Sequence, residues 1–217
     1  MAIGSTQRTY LPAAGRDWRL PLYDPITKLL GVDRTRRRLI GHAELAPAQR
    51  VLEVGCGTGS LLLAIGRHHP GVDLVGLDPD PKALARAERK ARRAGVHIRF
   101  DRGFSDTLPY DDASFDRVLS SFMYHHVPAA EKPAMFREIH RVLKPGGRLE
   151  LVDFAGPERA HGFVARMLHA HHLMKDNAAA RVLALMREAG FSDAARIGDD
   201  AFLLGSVSYY RAARDSR

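Results

Sequence analysis

The sequence contains a single cysteine, Cys56, among its 217 residues. One thiol cannot form an internal disulfide, which excludes the small secreted domains that depend on several such bonds. The sequence also contains no apolar run close to the roughly 20 residues that a membrane-spanning helix needs, and its first ten residues, MAIGSTQRTY, contain no apolar signal core. We therefore expect a cytoplasmic protein with an ordinary hydrophobic core.

The charge of the chain is positive, because 33 Lys and Arg stand against 25 Asp and Glu, which gives a formal net charge of +8. The densest basic runs lie at residues 34–38 and 86–93. Both runs fall on predicted helices, and we interpret them as solvated helix faces. A patch for nucleic acid or an anionic membrane is the alternative interpretation.

The hydrophobic pattern alternates between strands and helices along most of the chain. It predicts strands at 51–54, 72–77, 98–100, 115–121 and 148–154, with helices at 58–67, 81–94 and 130–143. Beyond these, it predicts helices at 161–175 and 178–189, and a closing hairpin around the polar turn GDD at 198–200. This alternation predicts an α/β fold with a doubly wound, mostly parallel sheet, helices on both faces and a final antiparallel strand.

The stretch VLEVGCGTGS, from Val51 to Ser60, joins a buried-looking strand to a loop with glycine at every second position. Glycine can adopt dihedral angles that other residues avoid, and it lets a ligand approach the backbone closely. The third glycine comes one position earlier than in the dinucleotide fingerprint, and Glu53 is an unfavourable neighbour for a pyrophosphate. The loop therefore favours a ligand with a cationic end.

Four ordered motifs carry a resemblance to a known family: EVGCGTG, LDPD, LPYDDASFDRV and RVLKPGGRL. With them the chain resembles the class I S-adenosylmethionine-dependent methyltransferases. It is most similar to the branch that contains ubiquinone and menaquinone C-methyltransferases and many small-molecule methyltransferases. The resemblance covers about residues 20 to 156. It implies a Rossmann-like fold, S-adenosyl-L-methionine as the cofactor and S-adenosyl-L-homocysteine as the product.

The resemblance also implies roles for single residues. Glu53 is expected to organise the loop and the methionine ammonium, and Asp78 to accept hydrogen bonds from both ribose hydroxyls. Phe104 stands where many relatives have an aspartate for the adenine amine, so Ser105 or a backbone group must bind that amine instead. The other expected cofactor-binding residues are Gly55, Cys56, Gly57, Thr58, Gly59, Pro79, Ser120 and Tyr23.

Catalysis of methyl transfer is mainly a matter of alignment, and a base is needed only for a phenol, hydroxyl or carbon acid. The segment SSFMYHHV follows the fourth strand, so Tyr124, His125 and His126 are the catalytic candidates, with a structural role as the alternative. No metal is expected. The histidines near the C-terminal side, at 161, 169, 171 and 172, are interpreted as flanking the acceptor pocket.

The acceptor is expected to be small and hydrophobic, such as a quinone, a phenolic metabolite or a lipid. We divide the chain into an N-terminal helical segment or lid, 1–45, and a methyltransferase domain, 46–217, with acceptor-lid helices at about 157–189. Methylation of RNA or protein and a non-catalytic S-adenosylmethionine-binding module are the alternatives. Ser120 to Met123 lack the signature of DNA adenine methylation. Nucleic acid is disfavoured as a partner, peripheral membrane contact stays open, and the sequence does not indicate the oligomeric state or the atom that is methylated.

Overall fold

A computed structural model describes residues 32–155, 178–202 and 205–216. Its helices are α1 (Val32–Ala43), α2 (Ser60–His68), α3 (Pro81–Ala94), α4 (Lys132–Val142) and α5 (Ala179–Glu188). Its strands are β1 (Arg50–Val54), β2 (Asp73–Asp78), β3 (Arg99–Arg102), β4 (Phe115–Ser121), β5 (Leu143–Phe154), β6 (Ala195–Phe202) and β7 (Gly205–Ala213). A single 3-10 turn at Tyr124–His126 follows β4. In these ranges, no helix combines the length and the apolar character that crossing a bilayer requires.

The seven strands form one sheet in the order β3-β2-β1-β4-β5-β7-β6. The pairs from β3 to β5 are parallel, whereas β7 runs antiparallel to both β5 and β6. The predicted doubly wound sheet with a final antiparallel strand is confirmed. The strand order reverses between β1 and β4, and a cleft at the carboxyl ends of the strands is expected at such a point.

Neighbouring residues of each central strand face opposite sides of the sheet, and both sides are apolar. In β1, Leu52 packs into the hydrophobic cluster that contains Phe136 of α4 and Leu185 of α5. Val51 belongs to the opposite cluster, together with residues of α1, α2 and α3. This is the pattern of a parallel sheet covered on both faces, and it explains why consecutive residues such as Val51 and Leu52 are both apolar.

Helix α3 begins and ends where its sequence predicts. An Asp80 side-chain oxygen accepts a hydrogen bond from the Lys82 backbone N–H at 2.8 Å, and Pro81 occupies the first turn. Gly95 ends the helix in the left-handed conformation, with φ +65°. Because both signals act within one turn of the chain, no distant contact is needed to set these ends.

Two polar stretches that the predicted strands leave out lie inside strands instead. The KPGG stretch belongs to β5, which begins at Leu143 rather than at residue 148. Lys144 Nζ lies 2.8 Å from the Asp116 carboxylate, and the Gly146 N–H donates to the Arg214 carbonyl at 2.9 Å. These contacts hold a bulge of β5 between its paired residues Leu143 and Arg148, in which Gly146 has a φ of +76°.

The GDD stretch at 198–200 likewise lies within β6, so its prediction as the hairpin turn is wrong. Asp199 accepts a hydrogen bond from the Ser208 hydroxyl at 2.7 Å, and Asp200 accepts one from the Tyr209 hydroxyl at 2.8 Å. The two carboxylates therefore bind across the hairpin to β7. The predicted helix at 161–175 lies outside the described residues.

Candidate active site

A cleft opens at the carboxyl ends of β1, β2 and β4. Its lining includes nearly all of the loop after β1 and the ends of the neighbouring strands. The lining residues are Arg36, Glu53, Val54, Gly55, Cys56, Gly57, Thr58, Leu77, Asp78, Pro79, Gly103, Phe104, Ser105, Ser121, Phe122, Met123, His126, Val127, Pro128 and Glu131. Most of the residues expected to bind a cofactor therefore lie together in this cleft.

The three loop glycines have different surroundings. A Cβ atom on Gly55 would overlap the Met123 side chain, and one on Gly59 would lie 3.0 Å from Ala87 Cβ in α3. A Cβ on Gly57, whose φ is +51°, would meet no described atom within 4 Å. Gly55 and Gly59 thus allow close packing within the protein, and Gly59 does not line the cleft. Gly57 alone leaves open space.

Asp78 lies at the end of β2, with only 7% of its surface exposed. One carboxylate oxygen accepts the Gly57 N–H at 2.8 Å and the other accepts the Asp80 N–H at 2.9 Å. Burial raises the pKa of Asp78 to about 6, although these two bonds act to lower it. Each carboxylate oxygen can accept a second hydrogen bond. Asp78 can therefore hold the loop and a pair of ligand hydroxyls at once.

Glu53 is the buried acid of β1, and it also lines the cleft. Burial raises its pKa to about 8, and the charge of Arg36 opposes this shift. Its Oε2 atom is buried and has no hydrogen-bond partner among the described residues. Leaving such an oxygen without a donor costs stability, and a cationic ligand group would supply one.

The two histidines after β4 have different roles in the structure. His125 is buried, and its Nδ1 lies 2.8 Å from Asp153 Oδ1 at the end of β5. Burial acts to raise the pKa of Asp153, but His125, the Phe154 N–H and His126 together lower it below its usual value. His126 lines the cleft, and its ring centre lies 4.0 Å from that of His125. Burial, with a smaller contribution from His125, lowers the pKa of His126 to about 4, so its ring is neutral near pH 7.

Two other predicted site residues, Tyr124 and Ser120, do not line the cleft. Tyr124 is fully buried, packs on Phe136 and has Lys132 Nζ 4.2 Å from its ring centre. Ser120 is fully buried within β4. Tyr23 lies outside the described residues. Cys56 does line the cleft, and burial raises the pKa of its thiol well above the usual value, which makes it a poor nucleophile.

Arg36 is the main cleft residue that the sequence interpretation missed. It belongs to the basic run of α1 that was interpreted as a solvated face, yet its side chain is only 11% exposed. Val32 and Ile40, four residues to either side, are both buried. Helical spacing places all three on one face, so this spacing was the signal that could have identified Arg36. Arg38 is not simply solvated either, because it pairs with Asp200 of β6.

No group of three or more metal-binding side chains occurs within the described ranges. The four histidines at 161, 169, 171 and 172 lie outside those ranges. Nothing in the described cleft therefore provides a set of metal ligands.

Comparisons with known proteins agree with this geometry. A family model described as a methyltransferase domain matches residues 51–147. A demethylmenaquinone methyltransferase of Thermus thermophilus is 38% identical over 151 residues, which cover 68% of each chain. One of Deinococcus radiodurans is 39% identical over 157 residues, 70% of this chain and 64% of that one. The YcgJ structure from Bacillus subtilis superimposes with a TM-score of 0.72 at 20% identity, covering 84% of this chain and 99% of that one.

The cleft fits S-adenosylmethionine in three independent respects. Glu53 has an oxygen available for a cationic group, Gly57 leaves open space against the loop, and Asp78 has lone pairs for a pair of hydroxyls. Together with the identity to the Thermus relative, this shows that the chain belongs to the class I S-adenosylmethionine-dependent methyltransferases, in the branch of the quinone methyltransferases. It is an enzyme, and its cofactor is S-adenosylmethionine.

Proposed function

We propose that this enzyme transfers the methyl group to a small, hydrophobic acceptor of the quinone or phenol type and releases S-adenosylhomocysteine. One observation carries the proposal: the neutral His126 lies in the cleft beside the apolar side chains of Phe122, Met123 and Val127. An apolar wall with a few convergent polar groups is typical of small-molecule sites. The methyltransferases of Thermus and Deinococcus are named for demethylmenaquinone, which has this chemistry.

We propose that the cofactor is held by the strand ends of β1 and β2. Glu53 would accept a hydrogen bond from its ammonium group, and Asp78 would accept from its ribose hydroxyls. Phe104 would pack on the adenine, with Ser105 or a backbone group binding the amine. When bound, the cofactor supplies a methyl group on a sulfonium leaving group that is already activated.

The protein then has to align the acceptor and remove its proton. His126 is neutral near pH 7, so it can accept a proton from an acceptor hydroxyl or carbon acid during methyl transfer. His125 is fixed by Asp153 and packs against His126, which limits the orientations of the His126 ring. The apolar side chains around it exclude water and hold the acceptor in line with the methyl group.

We also propose that the chain divides into an N-terminal segment, 1–45, and a methyltransferase domain, 46–217. The segment 1–45 contributes α1, whose Arg36 reaches the cleft of the domain at 46–217. At the other end, Val182, Leu185 and Met186 of α5 are buried in the core beside α4. In this region α5 therefore contributes to the core, and the rest of the predicted acceptor-lid helices, 157–177, lies outside the described residues.

The proposal is tested by methyl transfer from a cofactor with a labelled methyl group. Purified enzyme is incubated with this cofactor and a fractionated cell extract, and label is counted in organic-soluble, small polar and macromolecular pools. We expect label in the organic-soluble pool, and much less of it with the Asp78→Asn variant at a cofactor concentration below saturation. Label in the macromolecular pool would instead identify RNA or protein as the acceptor, and cofactor binding without any S-adenosylhomocysteine would indicate a binding module.

A further inference from the structure

A second cavity lies beside the cofactor cleft, along α2 and between α1 and α3. Its walls are formed by side chains from all three helices. The lining residues are Asp33, Arg36, Arg37, Ile40, Gly41, Ser60, Leu63, Ala64, Arg67, His68, His69, Lys90, Arg93 and Ala94. We call this cavity the basic groove. The proposed methyl transfer does not use it.

The charges that line the basic groove are almost all of one sign. Its cations are Arg36 and Arg37 from α1, Arg67 from α2, and Lys90 and Arg93 from α3. Asp33 is the only carboxylate among the described lining residues, and it lies 3.6 Å from Arg36. Cations from three separate helices thus surround one space, although like charges repel one another there. An anionic occupant would relieve that repulsion.

The depth of these cations indicates the kind of anion. The Arg36 side chain is only 11% exposed, and Lys90 Nζ donates to the Ser60 hydroxyl at 2.8 Å, which holds it against α2. Arg37, Arg67 and Arg93 are exposed and form the rim. Cations at several depths suit a compact group with oxygens on several sides, and arginine binds phosphate through two parallel hydrogen bonds.

The lining also distinguishes between phosphate-bearing ligands. Phenylalanine, tyrosine and tryptophan are absent from the described residues that line the basic groove. Proteins that bind single-stranded nucleic acid without sequence preference usually stack its bases on such side chains. The groove therefore favours an isolated phosphate or diphosphate group over a polynucleotide.

We propose that the basic groove is a second binding site, which takes a ligand with a phosphate or diphosphate group. The group lies between the floor formed by Arg36 and Lys90 and the rim arginines of α1, α2 and α3. The same chemistry is offered by a soluble phosphorylated compound and by the headgroup of an anionic lipid. The site is separate from the methyl-transfer cleft, but Arg36 lines both.

The test is a calorimetric titration of the full chain with inorganic pyrophosphate. Saturating S-adenosylmethionine is present throughout, so that pyrophosphate cannot bind in the cofactor cleft. The variant Arg67→Glu/Arg93→Glu changes two exposed rim residues of the basic groove. The matched control Arg92→Glu/Arg181→Glu makes the same change in net charge at exposed arginines outside it. A parallel arm measures sedimentation of the protein with vesicles of phosphatidylglycerol and with vesicles of phosphatidylcholine.

We expect saturable pyrophosphate binding that the rim variant weakens at least about tenfold, because it replaces two cations that can bind phosphate oxygens with two anions that repel them. The control variant should leave binding within about twofold. Binding to phosphatidylglycerol vesicles that is lost in the rim variant alone would identify a lipid headgroup as the source, and its absence would identify a soluble phosphate compound. If neither probe binds, or if both variants lose binding equally, the basic groove is not a phosphate site. Thermal unfolding of both variants, without ligand, checks that the two proteins fold equally well.

Discussion

Replacing Gly57 with alanine should weaken cofactor binding far more than a matched glycine replacement outside the cleft, at a similar cost in stability. The φ of Gly57 is +51°, and an L-residue in the left-handed region costs about 1–2 kcal/mol. Nothing described lies within 4 Å of the added methyl group, so no clash within the protein adds to that cost. If the cofactor packs against this position, however, the methyl group occupies its space. Overpacking of this kind costs about 1–3 kcal/mol, which corresponds to roughly 5- to 150-fold weaker binding.

Gly95→Ala is a matched control for this variant. Gly95 has a φ of +65°, and a Cβ there also meets no described atom within 4 Å, but the residue ends α3 and does not line the cleft. Both variants should therefore lower the midpoint of thermal unfolding by a similar amount, roughly 2–4 °C per kcal/mol for a protein of this size. Only Gly57→Ala should lose affinity for S-adenosylmethionine in calorimetry. Equal cofactor affinity in the two variants would refute the assignment of Gly57 to the cofactor surface.

The remaining predictions concern the charged and titratable groups of the cleft. Asp78→Asn should weaken S-adenosylmethionine binding about tenfold or more. Asp80→Asn should leave it unchanged, because Asp80 does not line the cleft and asparagine caps a helix as well as aspartate does. Equal titration curves for the two variants would contradict the role of Asp78 in binding the ribose. Glu53 has a pKa of about 8 in the folded protein and about 4.5 when unfolded, so above pH 4.5 the unfolded chain loses a proton that the folded chain keeps. The free energy of unfolding of the wild type should therefore fall as the pH rises from 4.5 to 8, by on the order of a few kcal/mol relative to Glu53→Gln. If the two proteins instead show the same pH dependence of stability, the pKa of Glu53 is not raised in the folded protein. His126→Asn should lower kcat about 10²- to 10⁴-fold with little change in cofactor affinity. Because the pKa of His126 is about 4, its titration should not change the wild-type rate between pH 5 and 8. An unchanged kcat in the variant would leave His126 with a structural role only.

Local signals explain which parts of the fold could be predicted from the sequence. The ends of α3 depend on Asp80, Pro81 and Gly95, which act within a turn of their own positions, so the prediction was correct. The stretches KPGG and GDD contain residues that favour turns, but distant partners hold both as strands. Asp116 pairs with Lys144 in the first case, and Tyr209 donates to Asp200 in the second. Such partners are close only after the sheet has formed, and local propensity cannot indicate them.

In the site, too, some features could be predicted from the sequence and others depend on the three-dimensional packing. The glycine loop and Asp78 follow the ends of adjacent strands, and parallel topology brings those ends together, so their proximity could be predicted. Whether a residue near the cleft also faces it depends on the rotation of single side chains. His126 lines the cleft, while its neighbours His125 and Tyr124 are buried behind it. Arg36 lies on the buried face of α1, which its helical spacing from Val32 and Ile40 indicates but the run of arginines by itself does not.

The position of β7 between β5 and β6 has a consequence for synthesis of the protein on the ribosome. β5 ends at Phe154, but its partner on that side, β7, begins only at Gly205, and among the described strands β6 pairs with β7 alone. At about 5–20 residues per second, the outer edge of β5 stays without its neighbour for several seconds after the parallel strands are complete. An apolar edge such as Leu151 and Val152 can pair with other chains during that time. The nascent enzyme is therefore expected to be most prone to aggregate just before β7 emerges, after the cofactor loop has already been made.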